Sequence, residues 1–438
     1  MIALVLRFFP ASDATGQPVT LAAESAKSES AGDVERAPAG PRKLQPPGSG
    51  SRTRPKVPGV KESARPATPS VKVKTPTIGS GLSATATLRD VPALAGALLH
   101  RDPDGFREFL KGSNLGLSEN RKRLLIAFSV AISGNASGAV AIAGDLVPGD
   151  GVGETEFSYL KSAVDGSWAR ARAASAARAG AIEYAMELAL LAREGKRLLD
   201  RREWRLAAET LSQVLLEDVG APWASDWSFS ETWGNRLNAA QEHYRWNPKG
   251  SWPSVTEEVK SGDSLSLIRS RVVKQVPGLL MCTGLINRVN GVGDRYLQPG
   301  EQLRIPTELV STLVDLEARH VFFMFGDEIG AVWPAAIGAP GHETPEGEYK
   351  VGVLTPEPPW FRPGEAMIPY GDPDNQLGTR WVGWNENGGN ATHYGFHGTW
   401  EPETIGNAVS DGCIRLRNED VEELYLVIPR GSAVKVQM

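Results

Sequence analysis

"HYGFHGTWEPETIGNAVSDGCIRL", residues 393–416, holds two of the six histidines and one of the two cysteines in a chain of 438 residues. Its opening, "HYGFHG", alternates as a strand does, which sets Tyr394 and Phe396 on one face and His393, Gly395 and His397 on the other. Around it stand "HVFFMFGDEIGAVWPAAIG", "TPEGEYKVGVL", "LGTRWVGW" and "GSAVKVQM", short apolar runs parted by Gly and Pro turns. Strands at such spacing predict a mainly β unit, a sandwich or barrel, over 318–438. One helix interrupts it, Asn418 to Val427, with Asn418 as its cap and Glu419 and Asp420 in its first turn.

A cysteine attacks as the thiolate, so it needs a base within hydrogen-bond reach and donors aimed at the developing oxyanion. His397 is the candidate base for Cys413. Gly412 permits a tight turn in which the N–H groups of Gly412 and Cys413 point at one oxygen. Gly398 leaves room beside the imidazole, and its carbonyl is placed to accept from the second ring nitrogen. A buried structural thiol is the alternative for Cys413. For His393 the alternatives are a zinc pair with His397 and a hydrogen bonder at the strand edge. Four residues of strand separate the two Cα atoms by roughly 13 Å, which argues against joint ligation. His342, in "GAPGHETPEG", reads as a solvated loop residue. Trp360, Trp381, Trp384 and Trp400 either line a cleft or pack in the core.

The pattern extends well beyond one cysteine and one histidine. "HGT", "SDGCIRLRNEDVEELY" and "IPRGSAVKV", preceded in order by "TPEGEYKV", "PPWFRPGE" and "NQLGTRW", resemble the catalytic core of L,D-transpeptidases of the YkuD type. The resemblance implies a β-sandwich-like fold. It also implies a cysteine that attacks the L-to-D amide of a peptidoglycan stem peptide, releases the terminal D-residue and passes the acyl group to an amine. Carried over, it makes Cys413 the nucleophile and His397 the general base and acid. Ser410, Gly412 and Gly398 shape the cysteine loop and oxyanion pocket, and Arg415 and Tyr394 are expected to contact substrate. No cofactor and no metal is expected. Hydrolysis of the same acyl-enzyme, an L,D-carboxypeptidase activity, is one alternative; a non-catalytic peptidoglycan-binding protein is the other. Many relatives carry histidine where this chain has Asp411. A carboxylate turned toward Cys413 would raise the thiol pKa, so Asp411 is expected to face solvent or main-chain N–H groups.

Upstream, "VTEEVKSGDSLSLIRSRVVKQVPGLLMCTGLINRVNGVGDRYLQPGEQLRIP", Val255 to Pro306, reads as strand, helix, helix, strand. Asp263 or Ser264 caps the first helix, and Asn290-Gly291 and Pro299-Gly300 supply turns. In "SGDSL", "GLINRVNG" and "LQPGEQLRIP" this small βααβ module, 254–307, resembles LysM, a family that binds the N-acetylglucosamine-containing backbone of peptidoglycan or chitin. Cys282, amid Leu279, Leu280 and Met281, reads as a core residue.

Residues 86–250 shift to Ala, Leu and Arg. Tyr184, Leu188, Leu191, Gly195 and Leu198 share one helical face. With the helix that carries Trp204, Ala208, Leu211 and Leu215 they suggest a hairpin of tetratricopeptide kind, though an array would need about three repeats. A plain α-helical bundle is the better expectation. Residues 1–85 read as a disordered Pro-rich tether, basic from Arg36 to Lys74 with Glu62 the sole acid. Its apolar start, Ile2 to Phe9, is either the tail of an export or membrane-anchor segment or an ordinary N-terminus.

The net charge of -5 argues against nucleic acid as partner. Two cysteines exclude a disulfide scaffold. The expected partners are stem peptides and glycan strands, in the periplasm or cell envelope.

Overall fold

The computed structural model describes residues 102–438 apart from 150, 167–179, 219–226 and 362–365, together with 94 and 96–98. The tether expected over 1–85 lies outside the described residues.

Helices build the first part. They are α1 (Pro103–Gly112), α2 (Glu119–Ile132), α3 (Ala136–Ala143), α4 (Glu154–Asp165), α5 (Ala181–Asp200), α6 (Trp204–Asp218) and α7 (Trp227–His243). Side chains start the first two: Asp102 accepts from the Gly105 N–H at 2.6 Å and Ser118 from the Arg121 N–H at 3.2 Å. The apolar stretch 124–147 is split between α2 and α3 at Gly134, whose φ of +99° a helix cannot continue through. No helix among the described residues is long and apolar enough to cross a membrane. The α5–α6 hairpin closes at Gly195, where an added Cβ would lie 2.6 Å from Leu211 Cδ2.

The second part is mainly β. Its hydrogen-bonded sheet has eight strands in the order β11-β9-β8-β7-β12-β3-β4-β5. These are β3 (Val310–Asp315), β4 (His320–Phe325), β5 (Glu328–Pro334), β7 (Gly347–Pro356), β8 (Arg380–Asn385), β9 (Ala391–His397), β11 (Ile414–Arg415) and β12 (Ala433–Gln437). A separate parallel pair joins β6 (Ile337–Gly338) to β10 (Ala408–Ser410). Helix α10 (Asn418–Val427) follows β11 and buries Val421, Leu424 and Val427. Every residue of β4 is buried, because both faces of that strand are covered.

The cover on one side is α7 and the turn after it. Trp246 meets Phe323 and Phe325 with ring centroids 5.8 and 5.4 Å apart. Side-chain amides also satisfy strand β5 at the sheet edge. Asn238 accepts from the Val332 N–H at 2.9 Å and donates to its carbonyl at 2.7 Å, and Gln241 donates to the Ile329 carbonyl. An edge that would otherwise invite another strand is thereby closed by a helix.

Between these parts lies the unit 254–306. Strand β1 (Ser254–Glu258) pairs antiparallel with β2 (Gln302–Pro306), and α8 (Leu265–Gln275) and α9 (Thr283–Asn290) stand between them in sequence. Ser264 caps α8, while Asp263 accepts from the Lys260 N–H at 2.8 Å and pairs with Arg271. Two arginines lock this unit in place. Arg288 of α9 pairs with Glu242 of α7 and Glu423 of α10, with its guanidinium 4.8 Å from the Trp246 ring centroid. Arg304 of β2 donates to the carbonyls of Pro248, Gly250 and Trp252. Cys282 packs half-buried against the edge of the core at the start of α9, and its thiol faces the Leu426 carbonyl of α10 at 3.4 Å.

Arg245, just after α7, is 3% exposed and pairs with Glu308 at 2.6 Å and Glu328 at 2.5 Å. Removing the cation leaves two carboxylates with no positive charge between them and only the Gln241 amide on Glu328. Arg245→Met is therefore expected to lower stability by about 3 kcal/mol in urea unfolding. An unchanged midpoint would show that this pairing contributes nothing.

Candidate active site

Cys413 reaches its place through two short parallel pairings. Strand β10 lies beside β6, with the Ala339 N–H donating to the Ser410 carbonyl at 2.8 Å. The chain then turns and enters β11, where Ile414 registers with Phe396 and Arg415 with His397. Ala336 and Arg415 exchange hydrogen bonds at 2.9 Å in both directions, and the Leu416 N–H donates to the His397 carbonyl at 2.8 Å. Cys413, one residue before β11, comes level with Gly395 and on the face that His397 shares. Diagonal neighbours of this kind stand about 7–8 Å apart at the backbone.

The turn at 410–413 is self-bracing. Buried Ser410 donates through Oγ to the Cys413 carbonyl at 2.6 Å and accepts from the Gly412 N–H at 3.2 Å. Gly412 has φ of +101°, and an added Cβ would lie 2.7 Å from the Tyr394 ring, so both conformation and space require glycine. The Gly412 N–H, one of the two expected oxyanion donors, has a partner within this turn, Ser410, whereas no hydrogen bond takes up the Cys413 N–H among the described residues. Tyr394, expected at substrate, packs its ring against Gly412 and supports the turn from below.

Strand β9 does not alternate cleanly. Its register against β8 shifts between Gly383 and Asn385, and Thr392 Oγ1 bonds to the Trp384 carbonyl at 2.9 Å. The bulge turns the His393 carbonyl toward Cys413, with Sγ 3.6 Å away. The His393 residue itself is exposed.

His397 is buried, and Nδ1 lies 2.7 Å from the Gly398 carbonyl. That contact makes Nδ1 the protonated nitrogen and leaves Nε2 to exchange a proton. Trp381, registered with His397, stacks near its ring at 6.0 Å between centroids and spreads over Gly395. Trp384 lies in the core, edge-on to Phe396 at 5.0 Å. Trp400 is half-exposed and donates to the Asn375 carbonyl at 3.1 Å. Gly398 is small for a reason other than the imidazole: an added Cβ would strike Asn418 Oδ1 and come within 3.0 Å of the Thr379 nitrogen. Asn418 does not cap α10 as expected. It is the first residue of that helix, and its Oδ1 accepts from the Thr379 N–H at 3.1 Å.

Burial sets the charges of the pair. It pushes the Cys413 thiol up to about 11, against a hydrogen bond from the Gly395 main chain and the Arg415 cation that pull it down; Asp411 adds a smaller push upward. Burial also holds His397 down to about 4, opposed by its Gly398 contact and helped by Arg415. The resting pair is thus a thiol and a neutral imidazole. Asp411 turns its carboxylate into solvent, 85% exposed and 3.9 Å from His342 Nδ1.

Sequence reasoning missed Gln376 and Glu401, which approach Arg415 from two loops, at 3.3 and 3.6 Å. No local signal marks either residue, because only the folded loops bring them there.

Residues 311–436 match the L,D-transpeptidase catalytic domain family, YkuD. The putative L,D-transpeptidase YqjB of Bacillus subtilis is 36% identical over 124 residues, 28% of this chain and 69% of that one. The putative L,D-transpeptidase YkuD of Bacillus licheniformis is 30% identical over 181 residues, 41% of this chain and 96% of that one. Among solved structures, L,D-transpeptidase 3 of Mycobacterium tuberculosis matches at 18% identity and a TM-score of 0.24, over 45% of this chain and 96% of that one. The chain belongs to the L,D-transpeptidase family of the YkuD type.

Two outcomes test the packing. Gly398→Ala is expected to destabilise by about 2 kcal/mol in urea unfolding, because Asn418 and Thr379 leave no room. Asp411→Asn is expected to change iodoacetamide labelling of Cys413 by less than about threefold, as befits a solvated carboxylate; much faster labelling would show that the carboxylate suppresses the thiol.

Proposed function

We propose that this chain is a cysteine L,D-transpeptidase acting on peptidoglycan stem peptides, with Cys413 as nucleophile and His397 as general base and acid. The observation that carries the reading is the register of β11 on β9. It sets the thiol and the imidazole on one face of neighbouring strands, with Nδ1 held by Gly398.

As the thiol approaches the carbonyl carbon of the L-to-D amide, Nε2 takes its proton and the sulfur–carbon bond forms. The Cys413 N–H is the main-chain donor best placed for the developing oxyanion. The imidazolium then gives the proton to the leaving nitrogen, the amide bond breaks, and the terminal D-residue departs as the amine. The thioester passes its acyl group to an acceptor amine, which loses a proton to the same imidazole; Cys413 is regenerated. Ser410 and Gly412 hold the turn, and Tyr394 supports it. Arg415 is the cation available to a substrate carboxylate.

The wider reading follows from the same substrate. The unit 254–306, with its LysM-like turns, is proposed to bind glycan, and the protein to work in the cell envelope. Binding and catalysis in one chain raise the effective concentration of substrate.

Incubation with disaccharide tetrapeptide, read by mass spectrometry, tests the activity. Cross-linked dimer is expected; tripeptide alone would assign an L,D-carboxypeptidase instead. Cys413→Ala should abolish both, and His397→Ala should slow acylation by roughly 10²–10⁴. A carbapenem should form a covalent adduct at Cys413, and its absence in folded protein would overturn the catalytic reading.

The pH dependence follows from a base held low and a thiol held high. Protonation removes the base only as pH falls toward about 4, and the thiol keeps its proton up to about 11. Acylation by a carbapenem is therefore expected to be flat from roughly pH 6 to 9. A limb centred near 6.5 would show an ordinary imidazole.

A further inference from the structure

Arg415 is held in an unusual way for a buried cation. Its side chain is 11% exposed, and Nε is buried with no hydrogen-bond partner. Nη2 donates to Gln376 Oε1 at 3.3 Å, and Nη1 stands 3.6 Å from Glu401 Oε2, beyond hydrogen-bond length. Guanidinium groups taken out of water normally meet carboxylates in short paired bonds. Here one long amide contact and one distant carboxylate stand in their place. Both partners are on exposed positions, and both loops are tied together by the Trp400 to Asn375 hydrogen bond.

We infer that Glu401 is an internal carboxylate that occupies Arg415 in the resting site and that a donor's terminal carboxylate displaces it. This rests on the reading of Cys413 as the acylated residue. Cys413 and Arg415 are two strand residues apart on one face, about 7 Å along the backbone. The carboxylate of a D-residue that follows the scissile amide lies about one residue length, ~3.8 Å, beyond it. An extended guanidinium spans the difference. Binding then exchanges one carboxylate for another on the same cation, so Glu401 and Gln376 determine selectivity without touching the reacting atoms. A donor whose terminal carboxylate is blocked as an amide gains nothing from the exchange.

Protection of Cys413 from iodoacetamide by free tetrapeptide and by its C-terminal amide measures how well each donor occupies the site, as the bound peptide or as the acyl-enzyme, without requiring an acceptor. Glu401→Gln removes the competitor and is expected to tighten the free acid about fivefold, the size of an exposed ion pair, while leaving the amide unchanged. Gln376→Glu adds a second competitor and is expected to weaken the free acid alone. Both positions are exposed, so neither substitution disturbs the core. Equal shifts for acid and amide, or no shift for either, would sink the inference even if disaccharide tetrapeptide is turned over. Absence of both protection and turnover in the unaltered protein would remove this inference together with the proposed activity.

Discussion

Two residues of strand hold the candidate site together. Ile414 and Arg415 form β11, and their main chains are gripped on one side by β9 and on the other by Ala336. A strand so short has little intrinsic stability, and its conformation is imposed by partners on both flanks. The same grip sets the height of Cys413 against Gly395, the direction of the Arg415 side chain and the entry into α10. Ser410 tightens the turn before it, and Asn418 pins the loop after His397. Cys413, His397 and Arg415 are thus positioned largely by hydrogen bonds between main chains, which side-chain substitutions nearby cannot easily remove.

The chemistry of the pair reflects the same enclosure. Burial alone makes the thiol a weaker acid and the imidazole a weaker base, and each effect opposes an ion pair at rest. In the proposed mechanism, proton transfer therefore accompanies the approach of the carbonyl instead of preceding it.

Much of this was legible in the sequence, and the limits have physical causes. The strands around "HYGFHG" and the order strand, helix, helix, strand over 254–306 follow from apolar period and turn residues, and the chain folds them so. Asn418 reads as a cap because a polar residue at a helix start usually is one; only the approach of Thr379, far away in sequence, reassigns its oxygen. Trp381 and Trp384 lie three apart in one strand, and no composition rule says which faces the site. The pairing with β9, which sets Trp381 opposite His397, decides that. Gln376 and Glu401 carry no motif at all. Their meeting at Arg415 is a product of loop geometry, and sequence patterns carry almost no information about loop geometry.

The clamp on the unit 254–306 has a consequence for how a polymer would be handled. Arg288 ties it to α7 and to α10 at once, and Arg304 staples it to the turn after α7. A binding module on a loose linker can sweep a volume, but one bolted at both ends works as a gauge. A glycan strand bound there, as proposed above, would meet Cys413 at one spacing, and searching along the polymer would fall to the whole molecule.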